Sequence, residues 1–165
     1  MSSRKCGFGA LVDSDTRLVI LGSLPGERSL AERRYYAHPG NGFWHLVGAV
    51  IECDLVSLEY EKRLAVLRAR KIGLWDVVAS AERSGSLDAA IRAHEANPLA
   101  GFAATLPNLR ALAFNGAKAA AIGRKQLSGQ IAPDLIDLPS SSAAYAAMPL
   151  AEKTRRWMRL RKFLC

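Results

Sequence analysis

Four short apolar runs, each halted by a turn residue and separated from the next by helical spacing, constrain this chain more than any other feature. Arg17-Leu-Val-Ile-Leu-Gly22 ends at Gly, and Ile72-Gly-Leu-Trp-Asp-Val-Val78 is the second run. Leu109-Arg-Ala-Leu-Ala-Phe114 stops at Asn115-Gly116, and Asp134-Leu-Ile-Asp-Leu138 stops at Pro139. Short, nearly continuous apolar runs suit the strands of a parallel sheet, which helices cover on both faces. Phe43 to Ile51, Ser57 to Ala69 and Ala117 to Leu127 read as helices. Ser86 reads as the N-cap of a further short helix, with Asp88 in its first turn. The last helix is expected from Pro149 to Phe163, with Pro149 in the first turn and Leu150, Trp157, Leu160 and Leu164 on one face. Strands alternating with helices predict the α/β class: one three-layer α/β/α domain over residues 1–165, around a central, mostly parallel four-stranded sheet.

Such sheets take ligands at the carboxyl ends of their strands. That rule selects four loops before any motif is consulted: Ser23 onward, Asp76 onward, Asn115-Gly116, and Pro139 to Tyr145. The segment Ser23 to Gly42 is too long for a plain connection, which marks it as functional. The familiar signatures are missing. There is no GxxxxGK[ST] loop, no GxSxG elbow, and no GxGxxG after a strand, Gly7-Phe-Gly9 standing before the first one. Trp44, Trp75 and Trp157 are expected in the core.

Composition narrows the partner. Half the residues are hydrophobic and 23% charged, a balance that excludes long disorder. Lys and Arg outnumber Asp and Glu by 23 to 15, and six bases against one acid crowd Glu152 to Cys165. Clustered bases suit a polyanion, because they displace counterions from phosphates; the alternative is a solvated helix face. No apolar run is long enough to span a membrane, and Met1 to Gly7 has bases with no apolar run behind them, so a cytoplasmic protein with no membrane partner is expected. Cys6, Cys53 and Cys165 form no CxxC pair, and His38, His45 and His94 lack ligand spacing. No metal and no cofactor are expected.

The loops themselves read Gly22-Ser-Leu-Pro-Gly-Glu-Arg-Ser29, Tyr35-Tyr-Ala-His-Pro-Gly-Asn-Gly-Phe-Trp44 and Leu138-Pro-Ser-Ser-Ser-Ala-Ala-Tyr145. Aromatic rings with a carboxamide suit a flat, hydrogen-bonding heterocycle, and the serines suit phosphates. Five collinear segments, GSLPGERS, YYAHPGNGFW, GLWDVVASAERSGSLDAAI, AFNGAKA and LPSSSA, resemble the uracil-DNA glycosylase superfamily, in its hypoxanthine-DNA glycosylase branch. The resemblance runs from about Leu18 to Leu164, and each segment falls at an expected strand end.

That resemblance implies a monofunctional glycosylase of base excision repair. It would flip a deaminated base out of DNA, hypoxanthine ahead of uracil or xanthine, and leave an abasic site. Gly22, Ser23, Leu24 and Pro25 are similar to the motif that lies against the flipped nucleotide, with Leu24 where the mismatch-specific branch has a water-positioning Asn. Asn41 is then implied as catalytic, Tyr36 as stacking on the base, and His38, Asp76 and Asn115 as lining the pocket. Pro139, Ser140, Ser141 and Ser142 match the loop that grips the DNA backbone. Gly42 and Ala144 replace arginines usual in the family, which leaves Tyr145 as the wedge. The residues also allow plainer roles: a turn for Asn41, a turn cap for Asp76, loop orientation for His38, and a helix cap for the serines. Leu24 keeps a silent damaged-DNA-binding domain in view, and a uracil-specific glycosylase or a small-nucleotide hydrolase are the other rivals. A monomer acting on DNA with a deaminated base is the expected state.

Overall fold

All five residues of Leu18–Gly22 are buried, as the innermost strand of a helix-covered sheet must be. A computed structural model describes residues 3–165, so Met1 and Ser2 of the basic N-terminal segment lie outside it. The strands, in chain order, are β1 Arg4–Cys6, β2 Leu18–Gly22, β3 Ile72–Asp76, β4 Val78–Glu82, β5 Arg92–Ala96, β6 Ala111–Asn115 and β7 Asp134–Leu138. The helices are α1 Glu27–Glu32, α2 Phe43–Ile51, α3 Tyr60–Ala69, α4 Leu99–Ala104, α5 Ala117–Gln126 and α6 Leu150–Trp157.

The expected sheet is present and wholly parallel, in the order β3-β2-β6-β7. Pleating divides its side chains between two cores. Leu18, Ile20, Leu74 and Ala113 face one cluster with Phe43, Leu46, Trp157 and Leu160. Val19, Leu21, Leu112 and Phe114 face another with Leu99, Ala119 and Leu127. The three layers are thus α2, α3 and α6 on one side and α4 and α5 on the other. Trp44 and Trp157 are core as expected, whereas Trp75 is half-buried against Phe102 and gives its indole N–H to Phe8 O at 3.1 Å.

Several elements depart from the pattern reading. The second apolar run is two strands, because the chain turns at Val77, whose N–H bonds Gly22 O at 2.8 Å. Val78 then starts β4 in a separate antiparallel sheet, β1-β4-β5. No helix follows Ser86; Asp88–Ala90 is a single 3₁₀ turn leading into β5. The expected cap and the first-turn acid both serve a neighbour instead. Ser86 Oγ accepts the Glu27 N–H at 2.9 Å, capping α1, and Asp88 Oδ1 accepts from Ser23 Oγ at 2.5 Å. The long segment after Ser23 contains α1, and Pro149 stands at the N-cap of α6 rather than in its first turn. α6 gives way to a 3₁₀ stretch over Met158–Phe163, and its buried face is Lys153, Trp157, Leu160 and Phe163. Leu150 lies off that face, 46% exposed.

Candidate active site

Parallel pairing in register brings the strand ends level: Gly22 sits beside Asp76, and Asn115 beside Leu138. The chain leaving each strand therefore opens away from the sheet, and a cavity of about 820 Å³ forms between the departing loops. Gly22, Ser23, Leu24, Pro25, Tyr36, His38, Asn41, Asp76, Asn115, Ser140, Ser141, Ser142 and Tyr145 all line it. Pro139 is the exception among the expected residues. Its carbonyl accepts the indole N–H of Trp157 at 2.9 Å, so it anchors the serine loop to α6.

Tyr36 adopts a left-handed backbone conformation (φ 53°), costly for a bulky residue and common at functional sites. The turn lays its ring flat on Phe43, 3.8 Å between centroids and 10° from parallel. Burial raises the Tyr36 phenol, so it stays neutral, and its oxygen accepts from Asn115 Nδ2 at 3.3 Å. Asn115 clamps the serine loop from the other side. Its Nδ2 donates to Ser141 Oγ and its Oδ1 accepts the Ser141 N–H, both at 2.9 Å.

Asn41 has a structural duty as well as a place in the cavity wall. Its Oδ1 accepts the N–H of Phe43 at 2.9 Å, satisfying one free donor at the start of α2. One oxygen lone pair and the NH2 group remain for a ligand. The preceding loop is self-braced: His38 Nδ1 accepts the Gly40 N–H at 2.9 Å, and Gly42 donates to Ser141 O at 2.9 Å. Leu24 is 6% exposed and packs into the second core cluster.

The serines do not cap the final helix, whose N-terminus has no side-chain cap. Ser140 Oγ accepts the Ser142 N–H and Ser142 Oγ accepts the Ala144 N–H, so the loop builds consecutive tight turns. Lys153, counted among the surface bases, is buried beneath this loop. Its Nζ donates to Ser142 O at 3.1 Å and lies 5.2 Å from the Tyr145 ring. Tyr145 itself is 41% exposed at the cavity.

Asp76 is not a turn cap. It is 3% exposed, and its Oδ2 is buried with no hydrogen-bond partner among the described residues. Burial first, and then the charge of Asp88, push its pKa up to about 7, while Arg83 pulls the other way.

Sequence reasoning missed one whole wall. Ser86, Leu87, Asp88 and Ala89 line the cavity, as do Arg28 and Lys118. Beneath that wall lies Arg83, 1% exposed, whose guanidinium donates to the carbonyls of Leu24 and Pro25. A lone Arg in a polar stretch carries no sequence signal for burial. The Ser86 to Ala89 wall was legible only as a helix start, which hid it.

A family model described as the Uracil DNA glycosylase superfamily matches residues 8–161. A curated protein of Methanosarcina barkeri named hypoxanthine DNA glycosylase is 44% identical over 115 residues, 70% of this chain and 73% of its own. Its namesake in Methanosarcina acetivorans is 45% identical over 115 residues, with the same coverage. A solution NMR structure of a Methanosarcina acetivorans protein, described as a candidate uracil DNA glycosylase, superposes with a TM-score of 0.85. It is 37% identical, and the match covers 98% of this chain and 99% of that one. The strand-end cavity, its five loop segments and these likenesses agree: the chain belongs to the uracil DNA glycosylase superfamily.

Proposed function

We propose that this protein is a monofunctional DNA glycosylase of base excision repair, acting as a cytoplasmic monomer. It hydrolyses the N-glycosidic bond of a deaminated base flipped from DNA, hypoxanthine first and uracil or xanthine after it. One observation carries the reading: Asn41, with donor and acceptor capacity left, shares a cavity with a flat Tyr36–Phe43 platform and a serine loop. The relatives' names favour hypoxanthine.

An N-glycosidic bond breaks through an oxocarbenium-like state, so the protein must orient a water under C1′ and accommodate charge on the leaving base. Asn41 supplies the first. Its remaining lone pair accepts from water, and the amide, fixed by Phe43, holds that lone pair in place. Leu24 orients no water, since it is apolar and packed in the core. The Ser140 to Ser142 loop and Tyr145 hold the backbone and fill the vacated stack. Lys118 lines the cavity from the first turn of α5, and in this reading it contacts phosphate and forms no Schiff base.

The test is base release from duplexes carrying one hypoxanthine, uracil or xanthine, read before and after alkali. Hypoxanthine release, with strand cleavage only after alkali, is expected. Asn41→Ala should slow release by about 10²- to 10³-fold while sparing most DNA affinity. A melting temperature of Asn41→Ala within a few degrees of the wild type separates loss of chemistry from loss of the helix start. A second reading, a silent damaged-DNA-binding domain, is favoured by Leu24 alone. Tight binding without release from any duplex would establish it.

A further inference from the structure

Among the described residues Asp76 is the one buried carboxyl in the cavity wall, and the groups around it decide what it can do. Asp88, held by Ser23 Oγ at 2.5 Å, faces it with like charge from the 3₁₀ turn. Arg83, just past β4, faces it with opposite charge but spends its hydrogen bonds on Leu24 and Pro25. The phenols of Tyr35 and Tyr36 stand on the α2 side, both kept neutral by burial, and Asn115 of β6 donates to Tyr36 rather than to Asp76. β2 offers only Gly22, whose missing methyl would lie 2.7 Å from Asp76 Oδ1. No donor among these satisfies an ionised carboxylate, and an unpartnered buried anion is costly.

The chemistry needs the opposite of an anion. When the bond between C1′ and the base nitrogen breaks, the electron pair leaves with the base. It spreads to the carbonyl oxygen that deamination put in place of an amine. A carboxylate there would repel the developing charge; a carboxylic acid would donate to it. We propose that Asp76 acts as a neutral acid, donating a hydrogen bond to that carbonyl oxygen and making it both a catalytic residue and the reader of deamination. Adenine and cytosine, with an amine at the same place, would set donor against donor. The water oxygen bonds to C1′, one water proton ends on the departed base nitrogen, and Asp76 keeps its own proton.

This inference rests on the glycosylase reading, and its test separates the two. Single-turnover release of hypoxanthine is followed from about pH 5.5 to about pH 9 for the wild type, Asp76→Asn and Asp76→Ala. Ionisation removes the donor and adds a repelling charge, so the wild-type rate falls as pH rises through the Asp76 titration. The Asn amide donates without titrating: Asp76→Asn should be about tenfold slower near pH 6, with no alkaline limb, so that the two profiles cross. Asp76→Ala, with no donor, should lose about 10²- to 10³-fold near pH 6. A wild-type rate that climbs with pH, with Asp76→Asn inert, would instead mark a carboxylate acting on water and overturn the proposal. So would an Asp76→Asn profile matching the wild type. If the wild type releases no base from any duplex, the glycosylase reading itself fails.

Discussion

A methyl group on Gly22 would lie 2.7 Å from Asp76 Oδ1, too short to bear, and 3.0 Å from Tyr36 Oη, close enough that the phenol must give way. Neither neighbour can swing away cheaply, since Asp76 is 3% exposed and Tyr36 is pinned by Phe43 and Asn115. Gly22→Ala should therefore displace two groups of the cavity wall that are proposed to meet the base. Base release is expected to drop about 100-fold, while the melting temperature falls by only a few degrees. Unchanged release would mean that Asp76 and Tyr36 do not touch substrate. At this scale the sequence was informative wherever a residue ends a strand. Gly22, Asp76 and Asn115 were placed correctly because parallel register leaves strand ends level. Asn41 was placed at the cavity too, and it also serves the turn by accepting the Phe43 N–H. Arg83 could not be foreseen: its burial comes from two carbonyls brought over it by the fold, not from any local pattern.

Among the elements, α5 packs tightly on β6, and Gly123 is what lets it. A methyl there would stand 2.1 Å from Phe114 Cε1 in the core of β6. Phe114 is fully buried, so the helix would have to lift from the strand. Gly123→Ala should destabilise the fold by about 1–3 kcal/mol despite alanine's better helix propensity, read as a shift in urea midpoint at constant slope. Stabilisation would show that α5 has room to move. The same elements show which patterns survive reading without a structure. β2 and β6 were legible because full burial writes a continuous apolar run, and α2 because most of its residues are buried core. β5 was not, since it is an edge strand of its sheet and all five of its residues are exposed. The helix expected after Ser86 failed for a different reason. Its expected cap, Ser86, and its first-turn acid, Asp88, are spent on Glu27 and Ser23, groups more than fifty residues away in sequence.

Over the whole molecule, the excess of +8 points to a polyanion, but the tail that concentrates it is mostly spoken for. Lys153 is buried, and Arg155 and Arg156 pair with Glu152. Arg159 reaches Asp137 O at 3.5 Å, and Lys162 covers the Phe163 ring. Arg161 bonds Val50 O and Ala49 O, satisfying carbonyls at the end of α2, and pairs with Glu52. Around the cavity the balance differs. Arg28 pairs with Glu32, whereas Lys118 pairs with no carboxylate among the described residues and lies in the first turn of α5, where backbone N–H groups already favour an anion. A phosphate held there would sit on the same rim as the serine loop, placing the duplex over the cavity and not along the terminal helix. Lys118→Gln is therefore expected to weaken binding to duplexes of any sequence and to reduce the slope of log affinity against log salt by about 1. Arg155→Gln should leave that slope unchanged, because Arg155 does not line the cavity. Fluorescence anisotropy across a salt series measures both. The reverse result, a slope altered by Arg155→Gln and not by Lys118→Gln, would move the DNA to the terminal helix.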